Sequence, residues 1–198
     1  MTDDTAQPRP DIYTIHASSP FPDDNEALEA LVQLKNIDFG DLFSNRETQL
    51  DAEEGEGIAI TFYNPEGLNS LSLNTTSESN VSINLTLAGD DVENAEAVLK
   101  RIKERVGKIN VHHIDSFRYI DISFDELELP IKDDTPHQVI GIRIRRDVAD
   151  YIVQHDTSNS QIYVSMRREF DDGIDFEELD SVGAVDFERI DEFIHEFI

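Results

Sequence analysis

The stretch VSINLTL (residues 81–87) decides the fold, because its apolar and polar residues alternate without a break. Successive side chains of a β-strand point to opposite faces, so one face of this strand is apolar and the other consists of Ser, Asn and Thr. The segment GIAITFY (57–63) and residues 68–73 are also strand-like, and Asn64–Gly67 between them has the composition of a turn. The sequence therefore predicts an antiparallel meander that buries one side.

Two helices are predicted around this meander. The first covers about residues 23–35, with Asp23 or Asp24 as its N-cap. The second covers about residues 90–106 and ends at Gly107, with acids at its start and bases at its end. The residues expected to face the core are Ala27, Leu28, Leu31 and Val32 in the first helix, and Val92, Ala95, Val98, Leu99, Ile102 and Val106 in the second.

A third helix is predicted at the end of the sequence, over residues 186–198. Its apolar residues share one face: Phe187, Ile190, Phe193, Ile194, Phe197 and Ile198. The ordinary interpretation of such a helix is packing against the sheet of the same chain. The alternative is that it binds a protein partner or a second copy of the chain in a groove.

The remaining segments complete the predicted architecture. Strands are expected near residues 12–16, 109–114, 119–124, 139–144 and 162–166, a turn at 132–136 and a short helix at 147–154. We expect an α+β domain, a mainly antiparallel sheet with two or three helices packed on one face. Residues 1–10 are expected to form a flexible arm and residues 11–198 a single domain. The alternative is two βα modules divided near 107–117.

The charge of the chain is extreme for a folded protein. It carries 43 acids against 16 bases, a net charge of -27, and the acids occur in every segment. In dilute buffer such a charge opposes the compact state, whereas at molar salt the Debye length falls to roughly 3 Å and the repulsion is screened. The composition resembles that of proteins from salt-in microbes, so we expect a protein of a halophilic archaeon that folds at high KCl or NaCl. We expect no cofactor.

Several classes of function lose their usual markers. The chain has no cysteine, and it lacks the GxxxxGK[ST], GxGxxG, GxSxG and HExxH motifs. No apolar run approaches the length of a membrane span and the first residues are polar, so we expect a cytoplasmic protein without membrane association. The acidity also opposes binding to nucleic acid, whose affinity depends on Lys and Arg.

The candidate acid–base or metal-binding residues are His112, His113 and Asp115. On a regular strand His113 and Asp115 would share one face and His112 would lie on the other. Histidine and carboxylate are ligands of transition metals, and a third ligand would come from His16, His137 or His155. The alternative interpretation is that these are ordinary half-exposed strand residues.

The candidate anion or partner surface consists of arginines. Residues 100–146 hold ten bases against eight acids, in contrast to the rest of the chain. Arg143 and Arg145 would share one face of a strand that ends at Arg146, with Arg118 as a further candidate. Guanidinium groups bind carboxylate and phosphate in bidentate fashion. The competing explanation is that these arginines pair with the chain's own acids.

From these observations we expect a non-enzymatic protein-binding or regulatory protein, with a protein partner or self-association. One alternative is a ligand-binding or hydrolytic domain that combines the His and Asp residues with an arginine anion site. Another alternative is a nucleic-acid-associated factor. The sequence contains no feature that decides among the three.

Overall fold

A computed structural model shows a single nine-stranded antiparallel sheet with helices on one face. The structure describes residues 10–51, 57–76, 79–120, 141–146, 149–156, 161–179 and 182–197. Within these residues the strand order is β2-β3-β4-β5-β1-β6-β9-β8-β7. The predicted α+β class with an antiparallel sheet is confirmed.

The elements follow the chain in a regular order. The strands are β1 (Ile12–Pro20), β2 (Asn45–Asp51), β3 (Gly57–Tyr63), β4 (Ser70–Thr76), β5 (Asn80–Ala88), β6 (Asn110–Ile120), β7 (Gly141–Arg146), β8 (Ala149–Asp156) and β9 (Gln161–Asp175). The helices are α1 (Asp24–Leu34), α2 (Ala95–Val106) and α3 (Ala184–Phe197). Short 3-10 turns lie at Gly40–Leu42, Gly89–Asn94 and Phe176–Glu178.

The described elements divide into two halves of similar order. The first half begins with β1 and α1, runs through the meander β2 to β5, and ends with α2. The second half begins with β6, runs through the meander β7 to β9, and ends with α3. In each half the last strand returns to pair with the first, β5 with β1 and β9 with β6. The two first strands, β1 and β6, pair with each other and join the halves into one sheet.

All three helices cover the same face of the sheet, which we call the helix face. Ser19 of β1 lies within hydrogen-bond distance of the Val106 carbonyl of α2, at 3.4 Å, and Tyr13 of β1 donates to Asp186 of α3 at 2.9 Å. Helix α1 packs against β4, β5 and α2. The core therefore lies between this face and the helices, with Tyr13 and Ile15 fully buried at its centre.

Local signals account for the helix ends. The Asp23 carboxylate accepts a hydrogen bond from the Glu26 amide at 3.0 Å, which caps α1 as the sequence predicts. Gly107, with a φ of 81°, ends α2 in a conformation that is strained for other residues. The apolar stripe predicted for α2, from Val92 to Val106, is buried throughout. Phe39 and Phe43, which follow α1, are buried, and Phe39 packs edge-on against Phe62.

Two predictions about local structure are wrong. The buried face of α1 consists of Ala27, Ala30, Leu31 and Leu34, whereas Leu28 is 37% exposed and Val32 is 54% exposed. Ala27 and Leu31 are buried as predicted, whereas Ala30 and Leu34 are buried in place of Leu28 and Val32. Of the short helix predicted at 147–154, residues 149–154 instead belong to strand β8, in which Tyr151 and Val153 are buried and the residues alternate with a period of two.

Other predictions fall outside the described residues. These are residues 1–9 of the arm expected at 1–10, the turn at 132–136, residues 121–124 of the strand expected at 119–124, and residues 139–140 of the strand expected at 139–144. The structure describes residues 119–120 within β6 and residues 141–144 within β7. The proposed division near 107–117 coincides with the start of β6, although both halves belong to one sheet.

Replacement of two leucines in α1 would distinguish its buried face from its exposed one. We expect Leu31→Ala to lower the free energy of unfolding by about 2–5 kcal/mol, because Leu31 is fully buried. We expect Leu28→Ala to change it by less than about 0.5 kcal/mol. Chemical denaturation in high salt, followed by circular dichroism, measures both. Equal losses would contradict the orientation of α1.

Candidate functional site: the open face of the sheet

The face of the sheet opposite the helices, which we call the open face, consists mainly of polar side chains, although Ile12, Phe117 and Ile152 also lie on it. Alternation along each strand places these residues opposite to the buried set. In the first half they include Thr14, His16, Ser18, Asn45, Glu47, Gln49, Ala59, Thr61, Tyr63, Ser70, Ser72, Asn74, Asn80, Ser82, Asn84, Thr86 and Ala88. In the second half they include His113, Asp115, Phe117, Arg143, Arg145, Asp150, Ser165, Arg167 and Glu169.

Charge is nearly absent from the first half of the open face. Among the residues there whose side chains the structure describes, Glu47 on the edge strand β2 is the single charged one, although 30% of the chain is charged. In the second half, Asp115, Asp150 and Glu169 are balanced by Arg143, Arg145 and Arg167. The open face is therefore close to neutral in a chain whose net charge is -27.

Two histidines meet at the middle of this face, where the two halves join. His16 of β1 lies directly opposite His113 of β6, and their rings stack with centroids 4.0 Å apart. His16 Nδ1 lies 2.6 Å from the side-chain oxygen of Asn84 on β5. Burial and the adjacent His16 hold the pKa of His113 below its ordinary value. The neutral form of His113 is therefore favoured relative to a free imidazole.

A bidentate ion pair adjoins the histidines. Asp115 lies two residues after His113 on β6, and its carboxylate is 3.9 Å from His113 Nε2. Arg167 of β9 lies opposite Asp115 and donates from Nε to one carboxylate oxygen at 2.6 Å and from Nη2 to the other at 2.9 Å. Asp115 is buried, so this pairing stabilises its charge. The structure thus brings together His16, His113, Asp115 and Arg167.

His112 departs from the strand alternation that the sequence predicts. The pairing of β6 with β1 is irregular between Val111 and His113, which leaves His112 as an additional residue in the strand. Its ring bonds to the hydroxyl of Ser18, an open-face residue, at 2.7 Å. A side chain on Gly173, whose φ is 72°, would come within 3.2 Å of the same ring. His112 is therefore separate from the pair formed by His16 and His113.

The sequence also predicted His137 and His155 as possible third ligands. His137 lies outside the described residues, and so does the side chain of His155. The sequence predicted His16 as one of three possible third ligands. It could not favour His16 over the other two, because its partner His113 is distant in the chain. Arg167 and Asn84 were missed, and no local pattern marks either residue.

The four candidate arginines do not form one surface. Arg143 and Arg145 point to the open face, where Arg143 pairs with Asp150 and Arg145 lies directly opposite the same residue. Arg118 and Arg146 point to the helix face and pair with acids of α3, Arg118 with Asp191 and Arg146 with Glu196. Arg118 also binds Asp11 at 2.7 Å. These contacts support the competing explanation, in which the arginines serve the chain's own carboxylates.

The terminal helix is docked on the sheet. Phe187, Ile190 and Phe193 are buried, Ile194 is partly buried, and Phe193 stacks on Tyr151 of β8 with ring centroids 4.3 Å apart. The side chain of Phe197 and all of Ile198 lie outside the described residues. The part of the apolar face that the structure describes is therefore used within the chain.

A buried polar cluster fixes the start of this helix. Asp186 is completely buried and accepts hydrogen bonds from Tyr13 at 2.9 Å and from Arg168 at 3.1 Å. Burial raises the pKa of Asp186 and also that of the Tyr13 hydroxyl. The Arg168 guanidinium acts in the opposite direction on Asp186 and favours its charged form. The cluster is enclosed between sheet and helix, which indicates a structural role.

Two shallow cavities lie on the helix side, remote from the histidines. One, of about 460 Å³, lies between Asn36, Asp38, Arg101 and Arg105. The other, of about 340 Å³, adjoins Phe39 and Arg101. Arg101 also donates to the Asp38 carbonyl at 2.7 Å, so it is already engaged at this rim.

Comparison with models of known protein families gives no match, and comparison with curated proteins gives none either. In the part of the chain that the structure describes, no helix has the length and apolar character needed to cross a membrane. These comparisons therefore assign no family to the chain.

Titration of the Asp150 carboxyl tests its pairing with Arg143. The guanidinium hydrogen bond, with the nearby charges of Arg143 and Arg145, holds the pKa of Asp150 below its ordinary value of 3.8. We expect Arg143→Gln to raise it toward that value, as followed by NMR of the carboxyl carbon during titration. A depressed pKa also means that the pair stabilises the fold above the unfolded pKa and loses this effect as pH falls through the folded pKa. Lys100→Gln, at an exposed position in α2, is the control and should leave the pKa of Asp150 unchanged. An unchanged Asp150 pKa in Arg143→Gln would contradict the pairing.

Proposed function

We propose that this chain is a non-enzymatic binding protein that recognises a partner protein through the open face of its sheet. The observation that carries this proposal is the near absence of charged residues from the first half of that face, together with the balance of charges on its second half. Depletion of charged residues is one compositional feature of interface cores. The face is uncovered by the described helices, so its composition calls for a reason other than packing inside the chain.

The contrast with the rest of the surface supports the proposal. The first turn of α1 alone exposes Asp24 and Glu26, and Glu29 follows on the same helix. If high salt selects acidic residues at freely hydrated positions, the Ser, Thr and Asn residues of the open face are under a different constraint. A surface that must shed water to meet a partner benefits from uncharged hydrogen-bonding groups, because buried charges without partners are costly.

The size and shape of the face favour a macromolecule over a small ligand. Nine strands about 4.8 Å apart span roughly 40 Å, which is wide enough for a protein interface of ordinary size. Small-molecule sites are concave, whereas this face is an extended sheet surface. The ion pairs of Asp115 with Arg167 and of Asp150 with Arg143 lie on one half only, so they would fix the orientation of the partner.

The two alternatives are less well supported by the described contacts. An anion site for an enzyme or ligand-binding domain would need arginines available to the ligand, yet Arg143 and Arg167 bind Asp150 and Asp115. Nucleic acid would require a clear excess of bases on the binding face, which the balanced second half does not provide. Capture of the partner with and without nuclease distinguishes nucleic acid from a protein partner.

A charge placed on the open face would test the proposal. We expect Ser72→Asp, in the middle of β4, to abolish capture of the partner from lysate at high salt. Gln33→Asp adds the same charge on the exposed side of α1 and is expected to capture the partner as the natural chain does. Quantitative mass spectrometry of the captured proteins, with and without nuclease, makes the comparison.

The outcomes separate the hypotheses. Loss with Ser72→Asp alone supports the open face, and loss that nuclease reproduces would assign the face to nucleic acid. Equal capture by both variants, with circular dichroism showing both folded, would overturn the proposal. Light scattering of the purified chain identifies self-association, which Ser72→Asp would then disrupt.

We further propose that the protein works in the cytoplasm of a salt-in archaeon, where molar KCl screens its net charge of -27. Far-ultraviolet circular dichroism should show little ordered structure in dilute buffer and a cooperative gain of structure on titration with KCl. A chain fully folded without salt would contradict this habitat, and its acidity would then need a functional explanation.

A further inference from the structure

The geometry points to a binding site for a divalent transition-metal ion, of the class that includes Zn²⁺, formed by His16, His113 and Asp115. One donor atom from each of the three side chains lies within 4.8 Å of the other two. This inference does not depend on the proposed protein partner. It rests on the strand register, on the groups that hold each donor, and on the chemistry of the donor set.

The strand register brings the donors together. His16 and His113 are directly opposite in the antiparallel pair of β1 and β6. The Cβ atoms of such residues are about 4.5–5.5 Å apart, so the two imidazoles can share one ion once the rings turn out of their stacked arrangement, at an interplanar angle of 22°, until one nitrogen of each faces the ion. Asp115 follows His113 by two residues and therefore projects from the same face. Backbone pairing in the middle of the sheet thus holds three ligands near one point.

Asn84 prepares His16 for metal binding. The amide oxygen of Asn84 lies 2.6 Å from His16 Nδ1, and an amide oxygen can only accept, so Nδ1 carries the proton. The Nε2 lone pair is then available to a metal. Histidine ligands in metal sites usually donate their other ring N–H to an oxygen in this way, which fixes the tautomer and the ring orientation.

Arg167 holds Asp115 in a similar manner. It donates one hydrogen bond to each carboxylate oxygen, at 2.6 and 2.9 Å. A carboxylate has about four lone-pair positions, so both oxygens keep a position for a metal. The positive charge of Arg167 weakens the attraction for a cation, and the strongly negative charge of the whole chain acts in the opposite direction.

The donor set selects the kind of ion. Imidazole suits Zn²⁺, Cu²⁺ and Ni²⁺, whereas Mg²⁺ and Ca²⁺ prefer oxygen ligands. Two histidines and one carboxylate therefore discriminate against hard cations even where these are abundant. Three protein ligands leave at least one coordination position for water or for a group from another molecule.

Titration of the purified full chain with Zn²⁺ in molar KCl, followed by calorimetry, tests the site. We expect saturable uptake of one ion per chain. His16→Ala and His113→Ala should abolish it, since each removes a ligand. Asn84→Ala keeps all three ligands and should weaken binding by about 10-fold to 100-fold, the usual effect of losing a supporting hydrogen bond.

Two histidines outside the site provide matched controls. His195 is exposed on α3, and His112 is a near neighbour of the site that is bonded to Ser18. His195→Ala and His112→Ala should bind Zn²⁺ as the natural chain does. Circular dichroism checks the fold of each variant, and His113→Gln replaces His113→Ala if the latter is unfolded.

The remaining outcomes would overturn the proposal. The absence of saturable uptake by the natural chain would do so. Uptake that His16→Ala and His113→Ala retain would also do so, because it would represent binding to surface carboxylates. Loss in His112→Ala with retention in His16→Ala would assign the ion to other residues.

Discussion

The pairing of β1 with β6 is the contact on which the rest of the structure depends. Each half of the described chain closes on its own first strand, through β5 in one half and β9 in the other. The two first strands then supply the continuous hydrogen-bonded seam between the halves. This seam sets His16 opposite His113 and aligns the rows of open-face residues on both sides. A register shift by one residue would turn every one of these side chains to the opposite face.

Local patterns predicted much of the fold, because alternation and helical spacing are properties of short segments. The buried stripe of α2 and the meander of β3 to β5 follow directly from their sequences. The face of α1 was predicted incorrectly because Leu28 and Val32 are more apolar than the alanines that are actually buried. Strand β8 was taken for a helix because Val148, Tyr151 and Ile152 have the i, i+3, i+4 spacing of a helix face in the sequence, whereas the buried residues Ala149, Tyr151 and Val153 follow a period of two.

Less of the candidate site than of the fold could be predicted from the sequence. The sequence identified His113 and Asp115 as neighbours on one strand, and both lie at the central cluster. The position of His16 depends on pairing between strands that are distant in the chain, and the position of Arg167 depends on β9. An irregularity in β6 also removed His112 from the arrangement that strict alternation implies. Such features arise from register, which local composition does not encode.

The neutrality of the open face also affects the protein when no partner is bound. An apolar face of this size would promote aggregation, and high salt strengthens hydrophobic association. Hydroxyl and amide groups such as those of Thr14, Ser72 and Asn84 keep the face hydrated without adding charge. They exchange water for partner groups at small net cost, since hydrogen bonds to water are replaced by hydrogen bonds of similar strength.

The bond between Tyr13 and Asp186 joins residues 173 positions apart. During synthesis the first strand therefore emerges from the ribosome long before the helix that covers its tyrosine exists. Until Asp186 and Phe187 arrive, the inner side of β1 near Tyr13 lacks part of its cover, with ring centroids of Tyr13 and Phe187 finally 6.2 Å apart. Contacts of such long sequence separation slow folding, so the nascent chain is exposed to misassembly for most of its translation.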